Sequence, residues 1–324
     1  MHEDFEDWEI TPDAQPKPAD YSYDLDTVLS SVVGLETQIP SDAYTAEVLG
    51  EVRGGNGVLI DESGIVLTIG YLVTEAERVR LHTRHGESAE GHVLGVDTAS
   101  GLALVQTLDP LDIPAIKIGD SRHAALRDPV VIGGAGGRRR SIAAHIVARQ
   151  EFAGYWEYLI EEAIFTSPAH PNWGGTALIG PEGDLLGVGS LQLQHQAAGG
   201  RMLPLNMMVP VELLTPVYDT LKAGKRTKVR PWLGLFAQEH EDAVVIVGLA
   251  GDGPAKRAGL REGDVVRAAA GMDLTNLADF YRSIWALGGP GVDVPLTVER
   301  EGDLFQLTVV SADRHDFLKK PRLN

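Results

Sequence analysis

Cysteine is absent from this 324-residue chain, which excludes disulfides, thiolate catalysis and Cys-ligated zinc. Bases are scarce: 28 Lys and Arg face 46 Asp and Glu, a formal charge of −18, which argues against nucleic acid or an anionic membrane as a partner. Long apolar runs are missing too. The longest, such as Ala243–Ala250, have strand length, far from the ~18 apolar residues of a membrane-spanning helix. The stretch Met1–Glu9 is acidic and has neither a basic n-region nor an apolar h-region, so no Sec-type signal is read there and a cytoplasmic location is expected.

What the chain does have is turn formers, 37 Gly and 18 Pro, set among short β-branched runs. Residues 1–24 read first as a solvated, disordered acidic tail: within 1–20, Glu3, Asp4, Glu6, Asp7, Glu9, Asp13 and Asp20 oppose only Lys17, and too little apolar surface is present to order the segment. Phe5, Trp8 and Ile10 offer the alternative of docking on a partner. From Leu25 to Leu221, runs such as Gly57–Ile60, Ile65–Thr68, Val79–Thr83, Gly91–Val96, Leu102–Val105, Pro129–Ile132, Ile142–Val147 and Leu185–Val188 alternate with Gly- and Asp-containing turns. That pattern predicts an all-β sandwich or barrel arrangement. Val211–Leu221 has helical spacing despite Pro216, and Lys222–Arg230 reads as a basic linker. Beyond Pro231, strands at Ala243–Val247 and Val265–Ala269, an amphipathic helix at Leu277–Leu287 and a hairpin over Val292–Val310 make a second, smaller α/β unit.

Several local features suggest chemistry, and each has a plainer explanation. Ser167 and His170, with Ser190, Glu157, Glu161 and Glu162 as further candidates, read as loop polar filling rather than a nucleophile and base. His82, His85 and His92 straddle a hairpin, but i and i+3 in a strand face opposite ways, so no shared metal is expected. The aromatic run Phe152, Tyr155, Trp156 and Tyr158, with Phe165, reads as a half-buried strand, or alternatively as a surface that holds a ligand or neighbouring subunit. Arg138, Arg139 and Arg140 follow a Gly-rich stretch without the Gly-Lys-Ser/Thr of a phosphate loop. They read as a solvated loop or a contact for an acidic partner. No metal site and no cofactor are expected.

Three segments carry a resemblance. Asn56–Asp61 with Leu67–Val73, Asp97–Val105, and Phe165–Leu178 with Gly180–Ser190 together resemble the trypsin-fold serine proteases of the HtrA/Deg type. That family carries T-N-x-H-V-V, then D-x-x-x-D-L-A-L, then G-N-S-G-G-P-L. Thr68 matches, but the position of the general-base His holds Tyr71, that of the orienting Asp holds Gly101, and that of the nucleophilic Ser holds Trp173. A phenol with a pKa of ~10 is a weak base near neutrality, and an indole has no hydroxyl to attack with. The residue two before the nucleophile, whose N–H would help form the oxyanion hole, aligns with Pro171, and Pro has no N–H. The expectation is a chain that is not an enzyme.

The C-terminal run Gly253–Val266, with Arg230–Phe236 before it, resembles the PDZ domains appended to HtrA-type proteases. The resemblance implies that an extended peptide adds a strand to a sheet edge and that its terminal carboxylate is caught by successive backbone N–H groups. It places that carboxylate loop at Trp232, Leu233, Gly234 and Leu235, with Phe236, Phe280, Tyr281 and Ile284 lining an apolar pocket.

The expected architecture is mainly β: a trypsin-like double β-barrel followed by a small α/β PDZ domain. Its divisions are an acidic tail over 1–24, barrels over 25–116 and 117–222, a linker over 223–230, the PDZ domain over 231–311 and a tail over 312–324. The expected function is a non-catalytic pseudoprotease serving as a peptide- or protein-binding scaffold for C-termini. The alternatives are an active HtrA-type serine endopeptidase of protein quality control, and a structural or regulatory oligomer subunit with an idle groove. The resemblance also implies a homotrimer.

Overall fold

The computed structural model describes residues 8–196, 199–241 and 243–319. The described residues divide into two compact units: one holds those of 8–150 and 162–227, the other those of 151–161 and 228–319.

In the first unit, β1 (Val32–Gln38), β2 (Val52–Asp61), β3 (Ile65–Ile69), β4 (Arg78–His82), β5 (Ser88–Val96) and β6 (Leu102–Thr107) close into a barrel in the order β1-β2-β3-β6-β5-β4. Alternation on β4 turns Val79 and Leu81 inward and leaves Arg78, Arg80 and His82 outside. On β3 all five residues are buried, and its one polar side chain is satisfied, because the Thr68 hydroxyl donates to the Asn56 carbonyl at 2.7 Å.

A second closed barrel follows, built from β7 (Pro129–Gly133), β8 (Ile142–Gly154), β9 (Tyr158–Ser167), β10 (Ala177–Ile179), β11 (Leu185–Gln196) and β12 (Met202–Pro210) in the order β10-β11-β12-β9-β8-β7. The helical spacing over 211–221 yields two short pieces, a 3-10 turn at Val211–Leu213 and a helix at Tyr218–Lys222, since Pro216 interrupts the hydrogen-bond ladder.

The acidic N-terminal segment departs from the solvated tail read from its composition. Residues 1–7, with Phe5 and four of the acids, lie outside the described residues. From residue 8 onward the segment packs on the second barrel. Ile10 is buried in that barrel's core cluster, and its N–H donates to the Arg139 carbonyl at 2.9 Å. The acidic partner of the arginine loop is the chain itself: Arg138 pairs with Asp26 at 2.9 Å, Arg139 with Glu9 at 3.0 Å, and the Arg140 guanidinium lies over the Trp8 ring. Composition weighed the charges of the segment without the cationic loop that neutralises them.

In the second unit a six-stranded sheet runs β13 (Leu235–His240), β14 (Ala243–Leu249), β15 (Val265–Ala269), β17 (Asp293–Arg300) and β18 (Asp303–Val310), with β16 (Met272–Asp273) paired to β15. The helix Leu277–Trp285 is capped by Asn276, whose side chain accepts from the Asp279 N–H at 2.7 Å. Its Phe280, Tyr281 and Ile284 are fully buried in the core beside Leu233, Leu235 and Val298. The tip of the β8–β9 hairpin also belongs to this unit, and it contributes Leu159 to the same core.

Candidate functional site

Tyr71 lies in the one-turn helix Gly70–Val73 at the end of β3, Gly101 in the turn before β6, and Trp173 between β9 and β10. β3 pairs with β6 through Thr68–Ala103 and Ile69–Leu102, so the residues just past these pairs are neighbours. The Gly70 N–H donates to the Gly101 carbonyl at 2.6 Å, and Gly101 sits at φ +78°, a conformation in which a side chain is strained.

Asn56 on β2 brings in the third position. Its backbone N–H and its Nδ2 both donate to the Gly174 carbonyl, at 2.8 and 3.0 Å. Nδ2 also donates to the Asn172 carbonyl at 3.1 Å, and Oδ1 accepts from the Ala135 N–H at 2.9 Å. The loop that carries Trp173 is thereby fixed. The Tyr71 hydroxyl donates to the Ser190 carbonyl at 3.0 Å. Burial raises the phenol above its ordinary value, and the Trp173 side chain only partly opposes this. A phenol so raised stays neutral near pH 7.

Of the other polar candidates, His170 and Glu162 are engaged with named partners. His170 is buried; its Nε2 contacts the Arg140 carbonyl at 2.8 Å, its Nδ1 accepts from the Asn172 N–H at 3.1 Å, and burial lowers its pKa. Ser167 precedes a cis peptide to Pro168, and Ser190 supplies its carbonyl to Tyr71. Glu162 pairs with Arg149 at 2.7 Å. Among the described residues, no group of three or more His, Asp or Glu is placed to hold a metal ion.

The second unit holds a different kind of site. The N–H groups of Leu233, Gly234 and Leu235 converge on one carboxylate, that of Glu157. Oε1 accepts from Gly234 at 2.7 Å and from Leu235 at 3.2 Å, and Oε2 accepts from Leu233 at 2.9 Å. Gly234, at φ +73°, permits the turn that aims successive N–H groups at one point. Phe236 faces Tyr155 with ring centroids 5.9 Å apart, and the Tyr281 hydroxyl donates to the Gly154 carbonyl at 2.8 Å. Ile284 and Phe280 support Tyr281 from the core, while Trp232 pairs with Ala312 and packs on Phe317. Desolvation pushes the Glu157 carboxyl up to about 7, against the opposing pull of the three N–H donors and Arg314. The aromatic run is therefore not one strand: Tyr155, Trp156 and Glu157 form the hairpin turn. Sequence reading placed Glu157 only among spare acids, and nothing local to it signals its contacts.

The trypsin-like peptidase domain family matches residues 55–188, and the PDZ domain family matches residues 231–310. The chain is similar to a probable periplasmic DegP-like serine endoprotease of Pseudomonas fulva, 28% identical over 79% of this chain and 55% of the relative. Another of the same description, from Halomonas elongata, is 26% identical over 82% of this chain and 57% of the relative. The chain thus spans about half the length of the curated relatives it matches. Among solved structures, the HtrA-type protease AlgW with a tripeptide superposes with a TM-score of 0.54 at 20% identity, covering 95% of this chain and 99% of that one. A serine endoprotease from Yersinia pestis gives 0.52 at 19%, covering 90% and 98%.

The protein is mainly β, a trypsin-like peptidase domain followed by a PDZ domain, and its homologues are of the HtrA/DegP type. Two expectations are corrected here. The relatives are named serine endoproteases and point to an enzyme, whereas the reading of a chain that is not an enzyme rested only on the side chains at three aligned positions. They are also named periplasmic, which points away from the cytoplasm; the charge and hydropathy of Met1–Glu9 describe that stretch alone. Among the described residues no helix is long and apolar enough to cross a membrane.

Proposed function

We propose that this protein works in HtrA-type proteolysis in the periplasm, with its PDZ groove as the element that reads peptide carboxyl ends. The names of the relatives support the proteolytic setting. The observation that carries the peptide-reading part is the convergence of the Leu233, Gly234 and Leu235 N–H groups on a single carboxylate. Such a nest recognises a chain terminus by charge-assisted hydrogen bonds, and β13 is an edge strand of its sheet, the position to which a peptide strand adds. Titration of the full chain with decapeptides carrying free or amidated C-termini tests this: binding that requires the free carboxylate supports it, and equal binding of both forms removes it.

A second reading, a scaffold that presents bound proteins, is supported by Tyr71 and Trp173, which stand where the resemblance sets the reactive His and Ser. Casein digestion together with fluorophosphonate labelling separates the two. Labelling at a serine with digestion supports the endopeptidase; the absence of both supports the scaffold. Assembly as a homotrimer is a further proposal, tested by sedimentation equilibrium.

A further inference from the structure

We propose that residues 151–161 are a built-in ligand of the PDZ groove, with Glu157 standing in for a peptide's terminal carboxylate, so that an external C-terminus binds only by displacing them. This rests on the peptide-reading role proposed above and adds its regulation.

The contacts reproduce, feature by feature, what an incoming peptide would make. The Glu157 carboxylate takes the N–H groups of Leu233, Gly234 and Leu235. Two residues earlier, the Tyr155 carbonyl accepts from the Ala237 N–H at 2.8 Å, so main chain pairs with the edge of β13 as an added strand does. From the helix side Tyr281 closes the groove: its hydroxyl donates to the Gly154 carbonyl at 2.8 Å and accepts from the Glu157 N–H at 3.2 Å. Apolar anchoring comes from Leu159 and Ala153, which pack into the core of the unit, and Glu151 forms an ion pair with Arg282 on the helix.

Glu157 also adopts φ +60°, a left-handed conformation that strains a non-Gly residue. The strained residue is the one whose side chain enters the nest, so the docking contacts must offset the strain. An external peptide meets a groove that is open only part of the time, and its apparent affinity falls by that fraction.

The test uses the full chain and an immobilised set of decapeptides with randomised last four residues and free C-termini. Glu157→Ala removes the carboxyl and the hydrogen bonds it accepts, and Glu157→Asp withdraws the carboxyl by one methylene. Both should bind the set at least about tenfold more tightly than the parent, and hydrogen exchange at the Gly234 and Ala237 amides should speed up in both without peptide. Equal affinity in parent and variants overturns the built-in ligand while leaving the groove's role intact. Failure of the parent and both variants to bind any peptide overturns the peptide-reading role, and this proposal with it.

Discussion

The Tyr71 hydroxyl donates to the Ser190 carbonyl at 3.0 Å, so a residue of the first barrel and strand β11 of the second share one polar contact. Removing that hydroxyl orphans the Ser190 carbonyl. Tyr71→Phe should cost about 1–3 kcal/mol, read as a lowered urea midpoint with an unchanged slope. An unchanged midpoint would show that another donor already satisfies that carbonyl.

Asn56 is the stronger staple, since one buried side chain serves the Asn172 and Gly174 carbonyls and the Ala135 N–H. Asn56→Ala should destabilise by roughly 2–4 kcal/mol, combining several unmet backbone groups. Asn56→Asp should be worse, because it turns a carboxylate oxygen toward two carbonyls. Thermal denaturation of the pair checks the order, and the reverse order would refute the donor assignment of Nδ2.

Rebuilding the triad side chains should fall short on its own. Tyr71→His, Gly101→Asp and Trp173→Ser together restore the residue types, but Pro171 still lacks an N–H for the oxyanion, and the Asp is placed at φ +78°. Fluorophosphonate labelling at residue 173 should rise well above that of the triple variant only when Pro171→Gly is added. Full labelling of the triple variant would contradict the assignment of that donor.

External peptides should compete better as the pH rises. The docked Glu157 carboxyl is raised to about 7 by desolvation, with Arg314 and the Tyr281 phenol as its charged and titratable neighbours. A raised carboxyl stabilises the docked state fully below the free value near 4.5 and loses that contribution as the pH rises toward 7. The free C-terminus of the competitor stays ionised throughout this window. Apparent affinity should therefore increase by at least about threefold from pH 5 to pH 8 in the parent and stay flat in Glu157→Gln. A parallel rise in both would assign the titration to another group.

Much of this was legible in the chain itself. Alternating apolar residues such as Val79 and Leu81 specify strands because side chains alternate across a sheet, and the runs Arg230–Phe236 and Gly253–Val266 carry the resemblance to the PDZ family that matches residues 231–310. The identities at 71, 101 and 173 are likewise facts of sequence. Tertiary structure decided what those residues touch. The hydrogen bond from Tyr71 to the Ser190 carbonyl joins residues 119 positions apart, on two closed barrels. The acidic segment after residue 7 packs through Ile10, buried in the core of the second barrel, and through Glu9, paired with Arg139, both partners distant in sequence. Glu157 gains its role from backbone N–H groups some 76 positions further along, a proximity that no local pattern encodes. Local propensity and hydrophobic period act over a few residues, whereas hydrogen bonds between distant segments exist only once the chain has closed its barrels and sheet.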